Sequence, residues 1–322
     1  MDESNRVLSL AAAKKTVLCV GNSTMDCISI VKRFPKVSKT EKSGVGYCQR
    51  GGNAGNNCTI LRNLGVDVEF FGVLCSSPMC ACIKRDMTSR GIKSHHCPQC
   101  MDDPPFSSVV VNRRTRTTHV VTCNKAFPYP TLEDFEKLDL NTYGWIHFRG
   151  CRPEITIQMM RAVDAYNQTQ SDKIIISMDF DKDLTANWPL VDYCDYVFFY
   201  GSLGEETGWK SAREGCVNID EMLRLRFGIN MKRPFVIFIW SIQKIGLMDL
   251  DGNYIRTTSY KPTRFVDNLG AMEVVVSGFI YGLYVRGRTP RVAANFASLI
   301  ANYKCTKYGF DHISNILEVP DL

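Results

Sequence analysis

The chain predicts an α/β fold built on a mainly parallel central sheet, and two observations carry that prediction. Short apolar runs alternate with loops and helix-like segments along most of its length, the pattern of strands connected through crossover helices. At 322 residues, 45% of them hydrophobic, the chain is also long enough to bury one large core and to carry a small accessory unit.

Residues 1–15 are expected to form a flexible arm. An apolar strand over 16–20 ends at Gly21-Asn22, and a second over 27–31 follows Asp26. After a polar stretch over 32–42, Gly51-Gly52-Asn53-Ala54-Gly55-Asn56-Asn57 opens a helix through Leu61 and Leu64 that stops near Gly65. A buried strand over 68–74 and a helix over 79–89, closed by Gly91, come next. Strands over 107–112 and 119–123, joined by Arg113-Arg114-Thr115-Arg116, make a hairpin suited to lie outside the main sheet as a lid. The alternation then resumes with Trp145-Ile146-His147-Phe148, a helix over 154–167, strands over 173–179 and 196–199, and a helix over 220–227. A strand over 235–240, segments 245–249 and 254–257 around the turn Asp251-Gly252, and helices over 272–286 and 290–304 complete the chain.

Composition removes several function classes. The formal charge of +6 is mild and spread without a dense basic block, which argues against a nucleic-acid partner. No apolar run approaches the roughly 18 residues of a membrane span, and Leu8 to Ala13 is too short for a signal peptide. The 14 cysteines are scattered through apolar segments such as Val17-Leu18-Cys19-Val20, as expected for reduced, mostly buried thiols in the cytoplasm.

Local chemistry nominates several positions. Asp26, after a strand and a Gly-Asn-Ser-Thr turn, is placed to accept a sugar hydroxyl at the carboxyl edge of an α/β sheet, or to satisfy its own turn. Gly52, Asn53 and Asn56 combine a close-approach glycine with amides that both donate and accept, which suits a polyhydroxylated ligand as well as a helix cap. The segment lacks the Gly-Lys-Ser/Thr ending of a P-loop. His95-His96-Cys97-Pro98-Gln99-Cys100 has metal-ligand types, but neighbouring histidines on an extended chain point to opposite faces, so no metal site is expected. Arg113, Arg114 and Arg116 read as an exposed basic turn or an anion contact, and Glu205 and Glu206 as the first turn of a helix or a water-bridged metal contact. A Gly-x-Ser-x-Gly hydrolase elbow is absent. The small-residue turn Asp267-Asn268-Leu269-Gly270-Ala271 feeds the apolar run from Val274, and such a helix start can bind phosphate through its unpaired N–H groups.

Together Gly51-Gly52-Asn53-Ala54 with Asn56-Asn57, Phe135-Glu136-Lys137-Leu138-Asp139-Leu140 with Trp145-Ile146-His147, Val266-Asp267 through Glu273, and Cys305 with Gly309-Phe310-Asp311 resemble the carbohydrate kinases of the ribokinase type (PfkB family), most closely the ketohexokinases among them. The resemblance implies a three-layer α/β domain over 16–314 with a small β-sheet lid drawn from about 28–47 and 105–122, and a tail over 315–322. It implies a homodimer clasped through the lid strands, and transfer of the ATP γ-phosphoryl group, with Mg²⁺, to the 1-hydroxyl of a ketose. Asp26, Gly52, Asn53 and Asn56 would then hold sugar, Gly270 and Ala271 would form the anion-binding turn, and Asn295 and Cys305 would lie on the nucleotide side.

Departures from the family pattern cluster on the phosphate half. The family's Gly-Ala-Gly-Asp, whose Asp is the general base, is here Gly270-Ala271-Met272-Glu273. Glu273 can accept a proton, but its extra methylene shifts the carboxylate by about an ångström, a displacement that can cost on the order of 10²-fold in rate. Met272 brings a side chain to a turn whose N–H donors are typically worth roughly 3 kcal/mol each. The family's Gly-Ser-Arg-Thr is here Arg116-Thr117-Thr118-His119, with Arg116 two residues away as a substitute cation. An Ala-Glu-Glu-Gly turn is replaced by Ser241-Ile242-Gln243-Lys244, where Lys244 either contacts phosphate or blocks its approach. The expectation is a kinase of this lineage that is catalytically weak or inactive. An active ketose kinase using Glu273 as base, and a non-catalytic partner-binding protein, are the alternatives.

Overall fold

The computed structural model describes residues 14–37, 40, 42–115, 117–123, 126–180, 183–228, 233–262 and 264–318. An eight-stranded sheet runs, in spatial order, Tyr254–Arg256, Lys244–Met248, Phe235–Ser241, Tyr196–Tyr200, Ile175–Phe180, Tyr143–Arg149, Thr16–Val20 and Val68–Phe71. The six strands from Phe235–Ser241 to Val68–Phe71 are mutually parallel, and the other two add an antiparallel edge.

Parallel strands are covered on both faces, so they read as unbroken apolar runs. Thr16–Val20 is buried at every position. Alternate residues then feed separate cores. Val17, Cys19, Trp145, Phe198 and Ile237 pack with helices Asn53–Asn63, Pro78–Ser89, Ala271–Ile280 and Pro290–Lys304. Leu18, Val20, Phe148, Phe199 and Phe238 pack with helices Pro153–Thr169 and Ala212–Phe227 on the other face. The result is the expected three layers.

The lid is a four-stranded sheet in the order Val45–Gly51, Thr24–Val31, Phe106–Asn112, Thr117–Cys123. Its inner face carries a small apolar cluster of Ile28, Ile30, Val109 and Val111, against which Tyr47 and Leu269 pack. Leu269 belongs to the turn before helix Ala271–Ile280, so the lid rests directly on that turn.

Several expected boundaries move. The second strand starts at Thr24, which puts Asp26 inside a lid strand and not in the turn before it. The expected strand over 68–74 ends at Phe71, and Leu74–Cys75 instead pairs with Gln99–Cys100 in a separate two-stranded sheet. The helix expected over 220–227 begins at Ala212, where the Ser211 hydroxyl accepts the Glu214 N–H at 3.2 Å as an N-cap. The helix expected to reach residue 286 changes to a π-helical turn over Tyr281–Val285. At the start of the chain, Lys15 pairs with Asp172 at 2.8 Å, and Lys14 lies over the Tyr284 ring; the rest of the expected arm lies outside the described residues. A 3₁₀ helix spans Asp311–Glu318 across the expected start of the tail, and residues 319–322 lie outside the described ones. Among the described residues no helix is long and apolar enough to cross a membrane.

Candidate active site

Two helices start at the same cleft. Helix Asn53–Asn63 is preceded by Gly52 at φ 82°, and helix Ala271–Ile280 by Gly270 at φ 74°. Both have a positive φ that glycine adopts without the Cβ penalty, Gly270 in the left-handed helical region and Gly52 outside it at ψ 144°. At Gly52 a Cβ would also meet Asn22 O at 2.6 Å and Ser23 Cα at 2.8 Å, and at Gly270 it would run into the Phe310 ring. The helices are locked together by Ser277 Oγ, which donates to Asn57 Oδ1 at 3.0 Å. Two helix N-termini, each carrying about half a positive charge, therefore face one space.

That space is a cleft of about 310 Å³ lined by Asn53, Asn268, Gly270, Ala271, Met272 and Glu273 on one side, and by Tyr200, Gly201, Ser202, Glu205 and Trp240 on the other. The first N–H groups of a helix have no intrahelical acceptor. That of Ala271 is taken by Asn268 O at 3.1 Å. Met272 is half-buried, lines the cleft and packs at the edge of the hydrophobic core, while Glu273 enters the same cleft from the next position.

What holds the turn is a buried ion pair that the residue pattern did not reveal. Lys304, near the end of helix Pro290–Lys304, is fully buried, and its ammonium lies 2.7 Å from Asp267 Oδ2. The same Nζ donates to Asp267 O at 3.2 Å and to Leu269 O. Asp267 Oδ1 accepts the Leu269 N–H at 2.9 Å and Oδ2 accepts the Gly309 N–H at 3.2 Å. One ammonium and one carboxylate thus fasten the three residues before Gly270 to the last helix. Thr118 Oγ1 donates to Asn268 Oδ1 at 3.3 Å, which ties the lid to this turn as well.

Behind the cleft a polar row crosses the carboxyl ends of the strands. Ser177 Oγ is 2.8 Å from His147 Nδ1, His147 Nε2 is 3.2 Å from Asp179 Oδ1, and Arg149 Nη1 is 3.8 Å from Asp179 Oδ2. Burial alone would raise the Asp179 carboxyl, but His147 and then Arg149 hold it below the usual carboxylate range. The Tyr200 hydroxyl is pushed up by burial and by the carboxylates of Asp179 and Glu273. Tyr200, Ser202 and Trp240, which line the cleft, and Asp179, which sits behind Tyr200, were not singled out from sequence, because only the strand order brings them together.

The other nominated residues separate. Asp26 lies on the lid strand with its carboxylate packed on Gly51, and accepts from Thr24 Oγ1 at 2.9 Å. Burial raises its carboxyl above the usual range, with Thr24, Ser107 and Arg50 offsetting part of the effect. Asn56 is buried beside Gly270, and its Oδ1 has no hydrogen-bond partner among the described residues. Lys244 is exposed and lines a second cavity of about 380 Å³ with Arg213, Tyr254 and Arg256, apart from the Glu273 cleft. Asn295 Oδ1 caps the Thr258 N–H at 2.8 Å. Cys305 is fully buried, its thiol is pushed up to about 11 by burial, and its carbonyl accepts the Val266 N–H at 2.7 Å. Arg116 lies outside the described residues. Glu205, read as a first-turn residue or a water-bridged metal contact, lies past the first turn of helix Gly201–Thr207 and forms part of the cleft wall, and Glu206 is not among the described lining residues.

The comparisons with known proteins agree with this architecture. The ketohexokinase of Mus musculus is 27% identical over 303 residues, covering 93% of this chain and 99% of that protein. The ribokinase of Giardia lamblia superposes with a TM-score of 0.76 at 15% identity, covering 93% of this chain and 97% of that one. Arabidopsis thaliana ribokinase complexed with ribose and ATP gives 0.73 at 16% identity, with 93% and 95% covered. Residues 14–199, more than half of the chain, match the pfkB family of carbohydrate kinases. With the fold, the glycine-initiated helix starts and this match in agreement, the chain belongs to the pfkB family of carbohydrate kinases.

Proposed function

We propose that this chain binds a ketose-type sugar in the Asn53–Glu273 cleft and transfers phosphoryl groups to it weakly or not at all. Met272 carries the reading. It occupies the first turn of the helix where the resemblance expects glycine, and it shares the cleft wall with the carboxylate that would act as base. Among the described residues no Lys or Arg lines this cleft; Arg113 and Arg264 line a neighbouring pocket of about 170 Å³ that shares only Asn268 with it. A polyphosphate entering the cleft would therefore meet, among the described residues, helix N-termini and two carboxylates. The oxygen donors of Glu205, Asn268 and Glu273 suit a hard cation such as Mg²⁺, which when bound would offset phosphate charge. The likeness to a ribokinase complexed with ribose and ATP supports ATP as the nucleotide, and the likeness to a ketohexokinase supports a ketose.

A second reading, an active ketose kinase with Glu273 as general base, is favoured by Glu273 facing the same space as Asn53. The two are separated by ATP- and Mg²⁺-dependent phosphorylation of fructose and other ketoses, run beside a Met272→Gly, Glu273→Asp double variant. The expected result is little turnover by the unmodified chain and a gain on the order of 10²-fold in the double variant. High turnover by the unmodified chain, abolished in Glu273→Ala, would overturn the weak-kinase reading. Measurable sugar binding with no turnover in either protein would point to a sensor or partner-binding role.

The lid supports a homodimer. Its outer strand Thr117–Cys123 leaves Val120 and Val121 50% and 63% exposed on an unpaired edge, a surface suited to a second lid. All fourteen cysteines are free thiols, which fits a reducing, cytoplasmic setting.

A further inference from the structure

We infer that Glu69, His95 and His96 form a binding site for a divalent transition-metal ion of the zinc and cobalt type. One ligand atom from each residue lies within 4.8 Å of the other two, and none of the three lines the kinase cleft. The expectation that adjacent histidines diverge fails here because the chain turns. Lys93 bridges to the edge strand, with Phe70 N–H donating to Lys93 O at 2.8 Å and Lys93 N–H to Val68 O at 3.2 Å. A turn then closes with the Cys97 N–H on Ser94 O at 3.3 Å, and both imidazoles fold over Glu69 with ring centroids 3.9 Å apart.

The two flanks anchor the loop and remove the thiols from it. Cys97 is buried with its Sγ on Phe70 O at 3.2 Å, and Cys100 pairs with Cys75 in the short second sheet. What is left is two imidazoles and one carboxylate, a borderline donor set that suits zinc, cobalt or nickel and not calcium or magnesium.

Glu69 is placed as a metal-ligating carboxylate is placed. Its side chain is only 2% exposed, and Tyr143 O–H donates to Oε2 at 2.8 Å, leaving Oε1 aimed at His96 Nδ1, 2.7 Å away. The tyrosine orients the carboxylate in the manner of groups that stand behind metal ligands. His96 alone would satisfy Oε1. The His95 ring beside it, with no hydrogen bond among the described residues, is the second nitrogen a metal needs and a simple ion pair does not. A metal bound through His96 Nδ1 would take the place of its hydrogen bond to Glu69 Oε1, with the ring N–H carried on Nε2, and the exposed loop would close the remaining distance to bonds of about 2.0–2.2 Å.

The test is titration of the tag-free, reduced full chain with cobalt(II) chloride, followed by visible absorption and calorimetry. The expected outcome is saturation at one ion per chain, with ligand-field bands and without the intense thiolate-to-cobalt charge transfer. His95→Ala and His96→Ala should each weaken binding by at least about tenfold, and Tyr143→Phe should weaken it less. Should Glu69→Gln fail to fold, the exposed His95→Ala variant carries the test by itself. Absence of saturable binding, an affinity unchanged in both histidine variants, or a thiolate charge-transfer spectrum would each overturn the inference.

Discussion

Replacing Lys304 with methionine removes the one ammonium that fastens the turn before Gly270 to the last helix. The side chain is fully buried, and its partner Asp267 is 5% exposed, so neither charge is screened by water. Deleting the cation leaves Asp267 buried with only the Leu269 and Gly309 N–H groups as donors, and frees the carbonyls of Asp267 and Leu269. Breaking a buried pair from one side typically destabilises by about 3–5 kcal/mol. With a urea slope of roughly 3 kcal/mol per molar for a chain of this size, the unfolding midpoint should fall by about 1 M or somewhat more. Equilibrium urea unfolding followed by circular dichroism measures it. The double variant Lys304→Met, Asp267→Asn should recover part of the loss, because it leaves no buried ion while the new side-chain amide oxygen still offers an acceptor to the Leu269 or Gly309 N–H. A fall of less than about 0.3 M in the single variant, or no recovery in the double, would refute the claim that this pair holds the turn.

Other expectations follow from single contacts. Gly270→Ala forces a β-carbon into a left-handed residue and against the Phe310 ring, and should cost at least about 1–2 kcal/mol in a thermal or urea transition. Tyr143→Phe removes the O–H that the buried Glu69 carboxylate accepts and should destabilise by about 1.5–3 kcal/mol, a loss absent from Tyr166→Phe, whose hydroxyl meets Asn141 at an exposed site. Burial raises the Asp86 carboxyl, but Arg50 at 2.7 Å and Arg90 at 2.9 Å outweigh it and hold the folded value below the ordinary one. Its stabilising contribution is therefore complete above the unfolded value of about 3.9 and is lost as pH falls through the lower folded value. The stability gap between wild type and Asp86→Asn should be constant near neutrality and close in acid unfolding curves. The proposed lid-to-lid homodimer predicts that the unmodified chain sediments as a dimer and that Val121→Lys, which places a charge on the exposed lid edge, shifts it toward monomer without altering the monomer's unfolding midpoint; a monomer before substitution would refute the homodimer.

From sequence alone, the α/β alternation, the unbroken apolar strands, the lid hairpin and the Gly-rich helix starts were legible, because each is a local consequence of composition and spacing. The small-residue turn before helix Ala271–Ile280 was legible in the same way, whereas the departure at Met272 and Glu273 was read from the family resemblance and not from composition or spacing. What the tertiary structure alone decided is which side chains meet. Lys304 reads in sequence as an ordinary basic residue near a helix C-terminus, yet it is buried against Asp267, 37 positions away. His95 and His96 read as divergent neighbours until a turn folds them onto Glu69 from a strand 27 residues earlier. Tyr200 and Trp240 reach the cleft through the parallel pairing of their strands. Local propensity sets an element's type and its buried face; the order of strands in the sheet, settled by long-range packing, sets which ends converge and so builds the site.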